Sequence, residues 1–214
     1  MTFTDALDRL DAAFKTDLPG AAAHALMAPR PRRNWPPGFS IDRIRHAAGL
    51  LLIFPIGDRP HIVLTVRAHT LDRHGGQVSL PGGVIEAGET AEEAAFREAQ
   101  EEIALAPEGL ITLGVLSPID IPVSGFRLHP VVAASRRRPA LQAADGEVAR
   151  IVEPSLADVM DPRHLAWRTL ARETGPLEFP VFLVDGVEIW GATAMVLAEF
   201  LALLGWEGRL PHRS

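Results

Sequence analysis

Cysteine is absent from the 214 residues, and its absence excludes three kinds of chemistry at once. The protein forms no disulfide, holds no zinc through thiolates and has no cysteine nucleophile. The eight histidines include no His-Glu-x-x-His spacing, the pattern that binds catalytic zinc on a helix. Neither a thiolate site nor a site of that zinc type is therefore expected.

Long apolar runs and excess positive charge are missing as well. The longest apolar run, ATAMVLAEFLALLGW, contains Glu199 and is shorter than the roughly 20 residues that span a bilayer. The N-terminal stretch has no basic leader before an apolar run, so no secretory signal is expected. The net charge of −6 and pI near 5.7 argue against nucleic acid as a partner. We expect a cytoplasmic protein that binds neither membranes nor nucleic acid and that is still free to bind small anionic substrates.

The composition and length are those of one folded domain with an extension. Hydrophobic residues make up 47% and charged residues 22% of the chain, which is ordinary for a globular protein. We assign residues 1–45 to an N-terminal helix and a Pro/Arg-rich connector that pack on a domain spanning residues 46–214. The helix is expected to be capped by Thr4 and ended by Pro19 and Gly20.

Short apolar, β-branched runs follow the connector. LLIFPI and HIVLTVR, separated by the turn GDRP, predict two strands. Similar runs recur after residue 109, and an apolar helix is expected from about Gly191 to Leu204. Strands around at least two helices favour an α/β or α+β sandwich.

Seven glutamates crowd the segment from Leu80 to Leu105. At its start, Pro81-Gly82-Gly83 predicts a close approach of backbone segments, because glycine has no side chain to obstruct it. Thr90 followed by Glu93 is a capping-box pattern and predicts a helix that ends near Ile103. At about 100° per residue, three of its glutamates share one face. They are Glu98, Glu101 and Glu102.

A carboxylate face without matching lysines suits a hard divalent cation, since Mg²⁺ prefers oxygen ligands and completes its shell with substrate phosphates. The alternative is a solvated acidic face, which must also explain the spacing. Gly83, five residues, Glu89, seven residues, Arg97-Glu98, two residues and Glu101-Glu102 follow one another. From average residue usage this pattern is expected by chance in about 1 in 10⁵ such chains. A metal site is therefore the better interpretation.

The spacing resembles the Nudix box, the signature of hydrolases that cut diphosphate linkages in nucleoside diphosphate derivatives. It departs at Ala104, where the family has glycine, and mildly at Ala99. The resemblance implies an α/β/α sandwich with a mixed sheet and a loop-helix-loop catalytic motif. It also implies Mg²⁺ or Mn²⁺ as cofactor and a small nucleotide substrate as partner. The departure at Ala104 concerns the end of the helix, since glycine is the easy residue for a left-handed cap.

The resemblance also implies a role for each charged residue of the box. The expected metal ligands are Glu98, Glu101, Glu102 and the carbonyl of Gly82. Glu89 and Arg97 are expected to brace the loop against the helix, and Arg97 is also spaced to meet Glu93 and Glu101. The general base is left open among Glu101, Glu102 and Glu147, with Glu102 and Glu147 given equal weight.

The residues before the box resemble a motif of the coenzyme A pyrophosphatase branch of the family. The stretch runs from Leu64 to Gly83, and Asp72 stands where the motif has a second arginine, next to Arg73. The stretches 121–132 and 189–201 resemble other parts of the same branch. The expected substrate contacts are Arg67, Arg73, His74 and Gly83.

We predict metal-dependent hydrolysis of coenzyme A or its thioesters to 4′-phosphopantetheine and 3′,5′-ADP. One alternative is a Nudix pyrophosphatase for ADP-ribose, NADH or a dinucleoside polyphosphate. A second alternative is a non-catalytic binding domain of the same fold, against which the intact Glu98, Glu101 and Glu102 argue. The oligomeric state is left open, with a homodimer as one option.

Overall fold

Five α-helices and twelve strands lie in the residues that the computed structural model describes, 1–68, 76–173 and 175–211. The helices are α1 (Phe3–Ala13), α2 (Gly20–Met27), α3 (Ala91–Ile103), α4 (Leu156–Met160) and α5 (Gly191–Leu203). The strands are β1 (Arg45–Ile56), β2 (Arg59–Ile62), β3 (Leu64–Arg67), β4 (Val78–Ser79), β5 (Gly82–Val84), β6 (Leu110–Val115), β7 (Ile119–Ile121), β8 (Phe126–Ser135), β9 (Val148–Val152), β10 (Leu165–Leu170), β11 (Leu177–Val184) and β12 (Val187–Ile189). None of the helices in these ranges is long and apolar enough to cross a membrane.

The central sheet is mixed and separates two layers of helices. Its order is β2-β1-β8-β6, with β5 paired to β1 and β7 paired to β8. Strands β1 and β8 are parallel, whereas the other pairs are antiparallel. Because side chains alternate across a strand, Leu50 and Leu52 pack with α3 on one face, while Leu51 and Ile53 pack with α1, α2 and α5 on the other. This arrangement confirms the predicted α/β/α sandwich.

Helix α3 lies on the sheet through small side chains. Ala94, Ala95 and Ala99 are fully buried against β1 and β8, so the helix backbone comes close to the strands. The Thr90 hydroxyl accepts a hydrogen bond from the Glu93 amide, and the Glu93 carboxylate accepts one from Thr90 N–H. The predicted capping box and helix end are therefore confirmed.

Two three-stranded sheets flank the central sheet, in the orders β4-β3-β9 and β10-β11-β12. The run HIVLTVR was predicted as one strand, which is wrong. Its first part, β2, pairs with β1, whereas β3 pairs with β4 and β9 in another sheet. Val63 between them is buried and donates to the Leu52 carbonyl, so the apolar pattern continues through the change of partner.

The N-terminal segment contains two helices instead of the one predicted. Thr2, not Thr4, caps α1, and a second helix, α2, begins at Gly20, where the sequence predicted an end. Helix α2 packs on α5. The connector that follows is tied to β11, because Arg30 and Glu178 exchange both backbone hydrogen bonds.

Candidate active site

The glycine pair of β5 lies between β1 and α3 with no room for side chains. Gly82 is paired with Gly49, and Gly83 with Ala48. A Cβ added to Gly82 would overlap the carbonyl oxygen of Ala48, and one added to Gly83 would overlap the carboxylate of Glu98. Glycine is therefore needed here for α3 to bring its carboxylates onto the loop backbone.

Glu102 is the buried carboxylate of the site, with 7% of its surface exposed. Its Oε2 accepts a hydrogen bond from Gly82 N–H at 3.2 Å. Burial raises the pKa of Glu102 to about 7, although the Gly82 amide and the positive charge of Arg67 oppose the shift. The negative charges of Glu98 and Glu147 act in the same direction as burial. The charges of two acidic groups and one arginine therefore act on this carboxylate.

Arg97 joins the loop to the helix. Its Nε and Nη2 donate to the two carboxylate oxygens of Glu89 at 2.9 and 3.0 Å, and Nη2 also donates to the Val84 carbonyl at 3.0 Å. Nη1 donates to Glu98 at 2.8 Å and lies 3.7 Å from Glu101. The bond from Arg97 holds the pKa of Glu89 below its usual value. This geometry is that of a brace.

Glu93 does not pair with Arg97 in the way its spacing suggested. Its carboxylate Oε2 accepts hydrogen bonds from the backbone amide and the hydroxyl of Thr90, at 2.8 and 2.7 Å. The capping box at the start of α3 therefore uses the side chain that the spacing also offered to Arg97.

Strands β3 and β9 bring two further charged residues to the same place. Arg67 ends β3, and the next amide, Ala68 N–H, donates to the Glu147 carbonyl at 2.9 Å. The charges of Arg67 and Glu147 both act on the Glu102 carboxyl. Residues separated by 80 positions in the sequence, Arg67 and Glu147, thus meet beside the glutamate helix.

The three glutamates of α3 share a helix face but differ in their surroundings. The Glu101 side chain is 60% exposed, Glu98 is bonded to Arg97, and Glu102 is buried. In the described ranges, no three acidic or histidine side chains are grouped closely enough to hold a metal ion. The donor set still suits a hard divalent cation, because Glu98 and Glu102 both reach the Gly82-Gly83 backbone and offer only oxygen.

Three residues singled out in the sequence cannot be assigned a position. Asp72, Arg73 and His74 lie in 69–75, outside the residues that the structure describes. Of the expected substrate contacts, Arg67 and Gly83 are described. Gly83 lies against the carboxylate of Glu98, and the charge of Arg67 acts on the carboxyl of Glu102.

One polar contact beside the site was not predicted from the sequence. The hydroxyl of Thr193 donates to the Val78 carbonyl at 3.0 Å, where both residues are buried. The available signal was a threonine in the first turn of a mostly apolar helix, within WGATA. Such a buried hydroxyl needs a hydrogen-bond partner, but the sequence does not say which one.

Known proteins resemble this chain in sequence and in fold. The NUDIX domain model matches residues 44–175. The Nudix hydrolase NudL of Citrobacter koseri, described as uncharacterized, is 32% identical over 162 residues, which cover 75% of this chain and 84% of that protein. NudL of Cronobacter sakazakii is 33% identical over 157 residues, covering 72% and 81%. The solved structure of RenU, a Nudix hydrolase of M. smegmatis, shares the fold with a TM-score of 0.52, 22% identity and coverage of 79% and 89%.

A glutamate-rich helix braced on a glycine strand of a mixed sheet, together with these matches, defines a hydrolase of diphosphate bonds in nucleoside diphosphate derivatives. The chain belongs to the Nudix hydrolase family. The predicted family, fold class and enzyme class are therefore confirmed. The names of the relatives do not specify a coenzyme A substrate.

Proposed function

We propose that this Nudix hydrolase cleaves the diphosphate linkage of coenzyme A or its thioesters, with Mg²⁺ or Mn²⁺ as cofactor. The observation that carries the proposal is the position of Arg67, whose charge acts directly on the Glu102 carboxyl. Arg67 belongs to the stretch that resembles the coenzyme A branch. Its planar guanidinium suits the paired oxygens of a phosphate, so an arginine whose charge acts at the glutamates supports a phosphate-bearing substrate of this type.

The proposed roles follow from where each side chain lies. Glu98, Glu101, Glu102 and the Gly82 carbonyl would hold the cation. When bound, such a cation neutralises diphosphate charge and lowers the pKa of a bound water. Arg97 would hold the loop that follows β5 close to α3, because it donates hydrogen bonds to Glu89 and to the Val84 carbonyl.

The proton of the attacking water goes to a carboxylate of the chain. Glu102 and Glu147 are the leading candidates, with Glu101 the third, since the charges of Glu147 and Arg67 both act on the Glu102 carboxyl. Water adds its oxygen to one phosphorus, and the bridging oxygen leaves with the other phosphate. Coenzyme A would thus give 4′-phosphopantetheine and 3′,5′-ADP, two phosphate monoesters.

The test is a substrate panel. The purified protein is incubated with MgCl₂ or MnCl₂ and one substrate at a time: coenzyme A, 3′-dephospho-coenzyme A, ADP-ribose, NADH or a diadenosine polyphosphate. The products are separated by chromatography and identified by mass spectrometry. We expect the highest kcat/KM for coenzyme A or a thioester, and loss of turnover with EDTA. If kcat/KM is higher for ADP-ribose, NADH or a dinucleotide, that compound is the substrate and the assignment of coenzyme A is wrong. Turnover of none of them would favour a binding domain.

Asp72 gives the panel a second use, since it reverses the charge that the coenzyme A motif has at this position. Two unit charges several ångströms apart at a partly solvated surface interact by roughly 1–3 kcal/mol, so an aspartate in place of the arginine should weaken phosphate binding. We expect Arg73 to compensate by taking over the missing contact. We predict that Arg73→Ala raises the KM for coenzyme A and leaves that for 3′-dephospho-coenzyme A nearly unchanged. If Arg73→Ala has no effect and Asp72→Arg sharply improves kcat/KM, the wild type is not tuned for coenzyme A.

A further inference from the structure

The hydroxyl of Thr193 connects two distant parts of the chain. It lies in the first turn of α5, is 9% exposed, and donates to the Val78 carbonyl at 3.0 Å. The two residues are 115 positions apart. Both stretches that they join, 64–83 and 189–201, resemble the coenzyme A branch. The bond therefore ties α5 to the strand that precedes the glycine pair.

Val78 belongs to a hairpin that carries Arg67. Strand β4 has only two residues, and its register pairs Val78 with Val66 and Ser79 with Thr65. Arg67 N–H donates to the Gln77 carbonyl at 3.0 Å, one residue before Val78. The Thr193 hydroxyl thus acts on the backbone segment that is directly bonded to Arg67.

The glycine pair has separate anchors. Leu50 N–H donates to the Pro81 carbonyl at 2.8 Å, and β5 is paired with β1. Gly82 N–H is also bonded to Glu102. Losing the Thr193 bond should therefore leave the glutamates and glycines in place and loosen the β3-β4 hairpin.

We propose that Thr193 is a positioning residue that sets substrate affinity through Arg67. The inference rests on the proposed phosphate contact of Arg67 but not on coenzyme A as the particular substrate. The Thr193 hydroxyl donates to a backbone carbonyl, so its effect on the substrate is indirect. Its loss should raise KM and leave the chemical step nearly unchanged.

Thr193→Val removes the hydroxyl and keeps the shape of the side chain. With coenzyme A as the probe, we expect KM to rise about five-fold to ten-fold, the loss of one hydrogen bond, with kcat within about two-fold. Thr193→Ser should restore KM, and Thr193→Ala provides a second variant without the hydroxyl if valine disturbs folding. Thr16→Val is the matched control, because Thr16 donates to the Ala13 carbonyl at 2.8 Å on the exposed end of α1. A fall in kcat as large as the rise in KM would overturn the proposal. So would a Thr193→Ser variant whose KM stays raised.

A double-mutant cycle with Arg67→Ala tests whether Thr193 acts through Arg67. Thr193→Val should have little further effect on KM once Arg67 is gone, whereas additive effects would contradict the mechanism. Amide hydrogen exchange gives a readout without substrate. The Arg67 amide should exchange at least about five-fold faster in Thr193→Val. An unchanged rate would overturn the inference even if coenzyme A proves not to be the substrate, so the two proposals can fail separately.

Discussion

At the scale of single residues, the glutamates of α3 give the sharpest prediction. Glu101→Gln and Glu102→Gln keep the shape of each side chain and remove its charge. We expect kcat to fall at least about 100-fold in each variant, because a metal ligand or the base is lost. Burial opposes the charged form of Glu102, so the Tm of metal-free Glu102→Gln should stay equal or rise. Steady-state kinetics at saturating Mg²⁺ and thermal melts measure both effects.

Glu108→Gln is the control for these two variants, since Glu108 is an exposed glutamate beyond the end of α3. Its kcat should match that of the wild type. Near-native rates in both Glu101→Gln and Glu102→Gln would show that the assignment of metal ligands is wrong.

Arg97 is the residue whose loss should affect stability and activity together. Arg97→Ala removes the guanidinium donor from Glu89, Glu98 and the Val84 carbonyl, and Glu89 keeps only the bond from Glu86 N–H. Unpaired groups of this kind cost about 2 kcal/mol, which lowers Tm by about 4–8 °C in a domain of this size. Arg168→Ala breaks an exposed pair with Glu188 and should cost under about 1 kcal/mol. Lost activity with an unchanged Tm would instead indicate that Arg97 contacts the substrate.

At the scale of elements, the residues that follow α3 and α5 can be compared, because both have a left-handed backbone conformation. Ala104 ends α3 in the left-handed region, with φ of 53°, and Gly205 follows α5 with φ of 93°. An alanine in this conformation is strained by about 1 kcal/mol relative to glycine. Ala104→Gly should therefore raise Tm by about 2–4 °C, and Gly205→Ala should lower it by a similar amount. Differential scanning calorimetry measures both, and a lower Tm for Ala104→Gly would contradict the strain.

Elements with local signals were predictable from the sequence, and the others were not. The capping box fixed the start of α3, and the apolar run after Trp190 marked α5. Helix α2 was missed because Pro19 and Gly20 read as a stop, although they stand at the start of an alanine-rich helix. The break between β2 and β3 was missed because an apolar run does not record which strand it pairs with.

Parts of the candidate site were likewise predictable from local sequence signals, and other parts were not. The approach of Glu98 to Gly83 and the Arg97–Glu89 pair follow from spacings of 15 and 8 residues within one motif. The meeting of Arg67 with Glu147 depends on how β3 and β9 pair, which only the fold determines. The metal ligands, the general base, the division at residue 45, the cytoplasmic location and a homodimer stay predictions.

At the scale of the whole molecule, one buried carboxylate holds the N-terminal segment on the domain. Glu199 of α5 is fully buried and accepts hydrogen bonds from Gly20 N–H at 3.0 Å, His24 Nε2 at 2.8 Å and Ser117 N–H at 3.1 Å. Three separate parts of the chain thus meet at one side chain.

Replacing this carboxylate should destabilise the fold. Breaking a buried pair costs about 3 kcal/mol, so Glu199→Gln should lower Tm by about 6–12 °C. Glu207→Gln is the control, because its pair with Arg209 is exposed and should cost under about 1 kcal/mol. A Tm within 2 °C of the wild type, by the same scale of about 2–4 °C per kcal/mol, would mean that the three donors find other partners.

The same carboxylate should make part of the stability depend on pH. Burial acts to raise the pKa of Glu199, but the bonds from His24, Ser117 and Gly20 outweigh it and hold the pKa below the ordinary value of 4.5. A carboxyl whose folded pKa is lowered stabilises the protein above its unfolded pKa, and this stabilisation is lost as pH falls through the folded pKa.

The Tm gap between wild type and Glu199→Gln should therefore narrow as the pH falls below about 5. Melts at several pH values between neutrality and pH 3 measure this gap, with Glu207→Gln as the reference for general acid effects. A gap that widens in acid would require a raised folded pKa. Burial of Glu199 would then outweigh its three hydrogen bonds, two of which, from Gly20 and His24, connect α2 to α5.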